Sequence, residues 1–508
     1  MRNAWTNQRV WPVGLGVILL PSLLYWRTLA PTIFAVDSVE FTTGAATLGI
    51  VHPPGYPTYL LLGRLFLFLP VGDFGFRLNL MSALFGVMSG WVAFRMLLLL
   101  AVRPLLAGLA ALLGSLSFYI WSQAVVAEVY SLHWLLVLLT MWGVLAWRKG
   151  RGRIWLWTAG LWAGLSLTNH ITAVLVFPGL AYLLFAPGPP GEDPARPRLR
   201  LGDWLAGIGF AVLGLLPYLY LPVRYLAEPG LDYARKYLAV DLTTWDGLLW
   251  YISGGPFRGM LFTGDAFYRL AETGLFVRYL LYNFLVIGLV LAGLGALHLY
   301  RRDRPVLWMT LAGFGLTGLF FINYAVFDKF SMYGVCLWIM ALWMGLGLEW
   351  MAQQGLPPWT PAGLAGVLLL AQILVFYPQA DVSRVDNVRV QGEAIMAELP
   401  DDAIYFGTWQ TVMVMEYLQI VEGMRPDLAV FNLPFAKPER VVDYIEDFVD
   451  TSRPVCVSPS LVSVLEANGA EVGEVRTENC VILRRPAEFQ IPADLLPYLP
   501  PALRPAQR

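Results

Sequence analysis

Apolar residues run along this chain in stretches of about 20, the length of helix that crosses a bilayer core, broken at Pro, Gly and charge clusters. Placed between those breaks, eleven membrane helices are expected at about 10–28, 78–101, 104–123, 130–148, 154–170, 171–187, 204–222, 279–300, 305–326, 330–351 and 360–378. The apolar run 58–71 is too short for a comfortable span and carries Arg64 midway, which reads as an interfacial or re-entrant helix. After about residue 379 the pattern changes. Helical periodicity at 387–399, 411–421 and 438–449 alternates with short strand-like runs at 403–406, 428–431, 455–457 and 480–483. Such alternation predicts a small α/β domain with a largely parallel sheet over 380–508, closed by a Pro-rich tail at 492–508. No Gly-rich phosphate loop follows any of these strands.

Composition agrees with the pattern. The chain has 508 residues, 57% apolar and 14% charged, where a soluble domain carries about 25% charged residues. The fold class is thus a polytopic α-helical membrane protein, with residues 1–379 as its membrane module. A net charge of −1 and the lack of a basic tail exclude nucleic acid as the expected partner. Arg2 and Arg9 precede the first apolar run without a convincing small-x-small cleavage site, so that run reads as an uncleaved span.

Alternate connections carry the cations: Arg2 and Arg9, Arg103, Arg148 to Arg153, then Arg196, Arg198 and Arg200, and finally Arg301, Arg302 and Arg304. The positive-inside rule then puts the N-terminus in the cytoplasm and the C-terminal domain outside, in the cell membrane if the chain is bacterial. Basic residues in the first outer loop, 29–77, and the long outer loop, 223–278, weigh less because those loops are long.

That orientation gathers polar residues on the outer side. Asp37 and Glu40 follow the first span, Gln123 and Glu128 the third, and Asn169 and His170 the fifth. Arg224 follows the seventh and Asp328 the ninth. Ionisable groups at membrane depth are costly and mark function by default. Helix ends are also polar for ordinary reasons. The joint pattern, on connections too short to be mere solvated loops, predicts a polar vestibule at the outer face.

The order Asp37-Ser-Val-Glu40-Phe, His52-Pro-Pro-Gly-Tyr-Pro57 and Arg77-Leu-Asn-Leu-Met-Ser-Ala resembles a membrane family first catalogued as a domain of unknown function. Its animal members are protein O-mannosyltransferases of the endoplasmic reticulum. Further likeness lies in Trp121 to Tyr130, Leu167-Thr-Asn-His170, Tyr220-Leu-Pro-Val-Arg224, Thr244-Trp-Asp-Gly-Leu, Gly254-Gly-Pro-Phe-Arg258 and Glu422-Gly-Met-Arg-Pro-Asp427. Val39 stands where family members often have Gly, a departure that leaves both carboxylates in place. The resemblance implies a GT-C glycosyltransferase fold and a polyprenyl-phosphate sugar as donor. It favours mannose as the sugar and protein Ser/Thr as the acceptor, with glycan or lipid acceptors open.

The residues suit that chemistry. Inverting transfer needs a base within hydrogen-bond reach of the acceptor hydroxyl, and Asp37 is the candidate. Glu40 shares its face only if the segment is helical, and either orients the acceptor or Asp37, or caps a helix. The leaving phosphate needs a guanidinium, from Arg224, Arg258 or Arg77. Arg77 reads equally as an interface anchor and Arg258 as a solvated loop charge. His52 and Tyr56 flank a turn that proline holds rigid, which either presents them to the acidic pair or is purely structural.

No metal or other cofactor is expected; Asp37, Glu128 and His170 carry the donor types for a cation, but transfer from monophosphate lipids often dispenses with one. Cys456 and Cys480 sit on neighbouring predicted strands, either bonded or as two free thiols, and Cys336 packs within a span. A transporter or flippase for a lipid-linked sugar is the alternative class, although no paired halves are visible. An adhesion protein would leave the polar cluster unexplained. An oligosaccharyltransferase would need a Trp-Trp-Asp-type motif that the outer domain lacks.

Overall fold

A backbone in lipid can satisfy its polar groups only by pairing within itself, so the apolar runs become helices. The protein is described here from a computed structural model covering residues 2–187, 199–326, 329–357, 359–432, 454–459, 471–477 and 480–484. Its first half lays down α1 (Arg2–Thr28), α2 (Asp37–Thr47), α3 (Pro57–Phe66), α4 (Phe74–Leu99), α5 (Pro104–Ser115), α6 (Phe118–Ala124), α7 (Val129–Arg148), α8 (Ile154–Asn169) and α9 (Phe177–Phe185). Then follow α10 (Leu201–Leu215), α11 (Tyr220–Leu226), α12 (Trp245–Ile252), α13 (Ala266–Arg302), α14 (Arg304–Ile322), α15 (Gly334–Ala352), α16 (Thr360–Ala380), α17 (Asn387–Glu398) and α18 (Trp409–Ile420).

Among the described residues eight helices are long and apolar enough to cross a membrane, or nine if α5 and α6, bent by 67°, form one span. The expected spans at 154–170 and 171–187 are shorter. Helix α8 has 16 residues, and the next segment starts as a 3-10 turn, Ile171–Val176, before α9. Eleven equal spans therefore become eight or nine long helices and two short ones. Thr168, Asn169 and His170 interrupt the apolar run there, and Asn169 and His170 end one helix and turn the chain. The short run at 58–71 forms the ten-residue helix α3, and Arg64 donates from Nη1 to the Ala46 carbonyl at the end of α2 (2.6 Å).

The C-terminal sheet comprises β1 (Ile404–Gly407), β2 (Ala429–Asn432), β3 (Val455–Val457), β4 (Glu471–Thr477) and β5 (Cys480–Arg484), in the order β2-β1-β3-β5-β4. Strand β1 pairs in parallel with β2 and β3, whereas β5 runs antiparallel to β3 and β4. The sheet is mixed, not largely parallel. Strand β4 alternates Glu471, Val472, Glu474, Val475 and Arg476, too polar a run to read as a buried strand. Cys456 and Cys480, on the adjacent β3 and β5, form a disulfide. The helix expected at 438–449 and the tail at 492–508 lie outside the described residues.

This region packs on the loops 29–77 and 223–278. Glu416 of α18 pairs with Lys236 and accepts from the Tyr237 hydroxyl (2.8 Å). Arg389 forks onto Glu422 at 2.7 and 2.6 Å and reaches toward Asp73 at 3.9 Å. A charged fork of this kind fixes orientation as well as contact. The N-terminal end of α18 is thereby held over α2.

Candidate active site

Asp37 is the first residue of α2 and Glu40 lies on the same helix, so the two share a face. Val36, just before, has φ 59°, a strained conformation for a β-branched residue that persists only where its surroundings enforce it. Residues 47–52 are tied down from the outer loop and the ends of later helices. Tyr220 and Tyr251 donate their hydroxyls to the carbonyls of Gly49 (2.7 Å) and Val51 (2.5 Å). Arg224 donates from Nε to Leu48 (2.6 Å) and from Nη2 to Thr47 (3.3 Å). Ile50 exchanges backbone hydrogen bonds with Leu231 and Tyr233, each 2.8 Å. Gly55 then turns the chain at φ +90°, where a Cβ would also meet Leu221 at 2.8 Å.

The result is a fixed His52. Glu40 Oε1 accepts the His52 backbone N–H at 2.7 Å, and Oε2 meets Nδ1 at 2.5 Å. With Glu40 ionised, Nδ1 carries the proton and Nε2 accepts from the Tyr56 hydroxyl at 3.1 Å. Burial, then the charges of Asp37 and Glu40, push the Tyr56 phenol well above its usual range, so it remains a donor. Nε2 also stands 3.9 Å from Asp37 Oδ2.

Asp37 differs from Glu40 in access. Its side chain is 24% exposed, while that of Glu40 is fully enclosed. Asp37 opens into a cavity of about 180 Å³ that is itself ringed by protein, with His52, Tyr56, His170, Phe257, Arg258 and Tyr324 among its lining. Its carboxyl is raised above the ordinary aspartate value, first by burial. His52, when it is protonated, pulls it down, the Glu40 charge pushes it up, and a hydrogen bond donated by the Trp409 indole pulls it down again. A base poised this way fits proton abstraction nearer neutrality.

The structure therefore brings Asp37, His52, Tyr56, His170 and Arg258 to one cavity, with Glu40 directly behind His52. His170 has Nδ1 2.7 Å from the Thr172 hydroxyl and packs its ring against Tyr56 and Tyr130. Glu128, which precedes α7, lies close enough for its charge to act on Tyr56. The other expected residues sit elsewhere. Arg77 donates from each of its three nitrogens to the carbonyls of Val71, Leu67 and Gly72. Asn169 donates to the Val129 carbonyl (3.2 Å), joining the end of α8 to the start of α7. Arg224 caps the end of α2, and Gln123 lies in α6 without lining the cavity. Asp328 lies outside the described residues.

Trp409 is the site residue that reading by motif passes over. It opens α18 at the carboxyl end of β1 and sets its ring 6.1 Å from His52 and 5.5 Å from Tyr233. The available signal was positional, since ligands gather outside the carboxyl ends of parallel strands. As for a metal, the donor atoms that converge among the described residues belong to Asp37, Glu40 and His52, all within 4.8 Å of one another. Both Glu40 oxygens already engage His52, so a cation held through Glu40 and Nδ1 would have to displace the Nδ1 proton.

Comparison with known proteins agrees with the expected family. Residues 37–189 match the family described as Protein O-mannosyl-transferase TMEM260 N-terminal domain. The mouse Protein O-mannosyl-transferase TMEM260 is 29% identical over 456 residues, covering 82% of this chain and 62% of that protein. The Dictyostelium discoideum protein of the same name is 24% identical over 472 residues, covering 81% of this chain and 56% of its own length. This chain thus spans about three fifths of the relatives it matches. Among solved structures, ArnT from Cupriavidus metallidurans bound to undecaprenyl phosphate superposes with a TM-score of 0.55 at 12% identity, over 94% of this chain and 99% of that one. The chain is similar in sequence to these proteins, and its fold is the GT-C fold.

Proposed function

We propose that this chain is an integral-membrane glycosyltransferase that moves a sugar from a polyprenyl-phosphate donor to a hydroxyl acceptor. The observation that carries the proposal is Asp37, a raised carboxyl that opens into a cavity beside His52 and accepts from the Trp409 indole. In the reaction Asp37 takes the acceptor proton as the acceptor oxygen bonds to the anomeric carbon. The bond from that carbon to the phosphate oxygen breaks, its electron pair leaves with the lipid phosphate, and the anomeric configuration inverts. Arg258 faces the leaving phosphate across the cavity, and a guanidinium suits its oxygens. Glu40 holds His52, and the Trp409 indole, which donates to Asp37, orients its carboxylate.

The named relatives favour mannose as the sugar and protein Ser/Thr as the acceptor. The positive-inside pattern favours a cytoplasmic N-terminus, with the cavity and the C-terminal region outside. Nothing in the relatives favours the transporter alternative. The deciding experiment uses the purified full chain in detergent, where transport has no meaning, with a panel of radiolabelled polyprenyl-phosphate sugars and hydroxyl acceptors. A glycosidic product that forms with the native chain and not with Asp37→Asn supports the reading. Sugar movement across sealed vesicles without product overturns it.

A further inference from the structure

At the end of α4 and α7 farthest from Asp37, a second cavity of about 550 Å³ opens between helices. Arg95 and Arg151 line it together with Trp11, Trp142, Trp155 and Leu99, and no carboxylate does. Several neighbouring cations on this face are engaged by protein acceptors. Arg148 donates to the carbonyls of Leu183, Ala186 and Pro187, Lys149 and Arg153 pair with Asp303 and Asp203, and Arg103 pairs with Glu349. Arg95 and Arg151 are different. Among the described residues neither guanidinium hydrogen-bonds or ion-pairs with a protein acceptor, although Arg95 lies over the Trp91 ring at 5.7 Å. Arg95 is half-buried one turn before the end of α4.

Arg95, half-buried without an anion, costs desolvation unless something outside the protein neutralises it, and Arg151 stands exposed at the mouth of the same cavity. Indole rings favour the interfacial layer, and Trp142 and Trp155 pack at 4.7 Å to form one wall there. Basic pockets between membrane helices on the inner side are known to take anionic headgroups. We propose that this cavity is a binding site for one anionic glycerophospholipid of the leaflet opposite the candidate active site. Its phosphate lies between Arg95 and Arg151, and its acyl chains leave along the apolar wall. The site is independent of the transfer reaction.

Native mass spectrometry and thermal unfolding of the full chain in detergent test this, with phosphatidylglycerol, phosphatidylcholine or inorganic phosphate added. A retained phosphatidylglycerol adduct and a rise in Tm are expected, with neither from phosphatidylcholine nor from inorganic phosphate. The double variant Arg95→Gln/Arg151→Gln should lose the adduct and the Tm response. Arg95→Lys/Arg151→Lys, which keeps the charges, should retain part of both and guards against a misfolded double variant. Equal effects of the two lipids, or an adduct that survives in the folded Gln variant, would overturn the proposal. So would a full response to inorganic phosphate, which would mark a soluble-anion site.

Discussion

Glu40 holds His52 at two points, accepting its backbone N–H at 2.7 Å and meeting Nδ1 at 2.5 Å. A carboxylate that grips both the main chain and the ring of one residue fixes position and tautomer together. Helix α2 supplies Glu40, and the proline turn supplies His52 twelve residues later. The contact therefore depends on the tethering of residues 47–52 by Tyr220, Arg224 and Tyr251. Asp37, one turn before Glu40 and 3.9 Å from Nε2, receives the benefit as a carboxylate with a defined neighbour.

Asp37→Asn is expected to reduce turnover by at least about 10² while donor binding stays near normal. It should also unfold at an equal or higher temperature at pH 7. The folded state raises the Asp37 pKa above its ordinary 3.8, so folding favours the protonated form. Ionisation then costs stability, and the cost grows as pH rises from the ordinary value through the raised one. Removing the charge removes that cost. Turnover and Tm measured on one preparation check both halves, and full activity in the variant refutes the assignment of the base.

Glu40→Gln and Trp409→Phe should move the acid limb of the kcat/KM profile in opposite directions. Only ionised Asp37 accepts a proton, so activity falls as pH drops through its raised pKa. The Glu40 charge pushes that pKa up, and its removal shifts the limb to lower pH. The Trp409 indole hydrogen bond pulls it down, so phenylalanine, which keeps the ring but lacks the donor, shifts the limb to higher pH. Limbs that move together, or stay still, would detach these residues from Asp37.

Much of this was legible in the sequence, for a physical reason. Lipid forces apolar runs into helices and makes each charge near it conspicuous, which is how the 29–57 region and its carboxylates stand out. His170 and Arg258 were legible for the same reason, as polar residues at the ends of spans or in an outer loop. What a single chain does not display is pairing between distant segments. Arg224 carries the right charge at the right depth, yet its partners are carbonyls of residues 47 and 48, which no spacing reveals. Trp409 reaches Asp37 only because Lys236, Tyr237 and Glu416 seat α18 on α2. Strand β4 was hidden by its charged residues, and its antiparallel pairing with β5 makes the sheet mixed.

Chelation with EDTA should leave transfer intact. Both Glu40 oxygens are occupied by His52, and Nδ1 holds a proton as long as that pairing stands. A cation held through Glu40 and Nδ1 would have to break it. Assay of the purified chain before and after EDTA, then with Mg²⁺, Mn²⁺ or Zn²⁺ restored, checks this. Activity lost and then recovered with one ion would assign the trio to that ion instead.

Arg258→Ala and Arg224→Ala should fail in different ways. Arg258 lines the cavity, and apart from the Ser253 hydroxyl its guanidinium faces open space. Losing a hydrogen bond to a charged phosphate weakens donor binding by about 1.5–3 kcal/mol, roughly tenfold to a hundredfold. Arg258→Lys keeps the charge without the fork and should recover part of that loss. Arg224, by contrast, spends its donors on the Thr47 and Leu48 carbonyls, where a cation also suits the end of α2. Its loss loosens the segment that delivers His52, so Arg224→Ala should lower Tm and kcat with donor affinity unchanged. Lysine can reach one carbonyl but cannot span both, so Arg224→Lys should fall between alanine and the native chain in Tm. Donor binding by the purified variants, set beside their unfolding curves, separates the two residues. A donor-affinity loss in Arg224→Ala at unchanged Tm would place Arg224 on the phosphate and remove it from the scaffold.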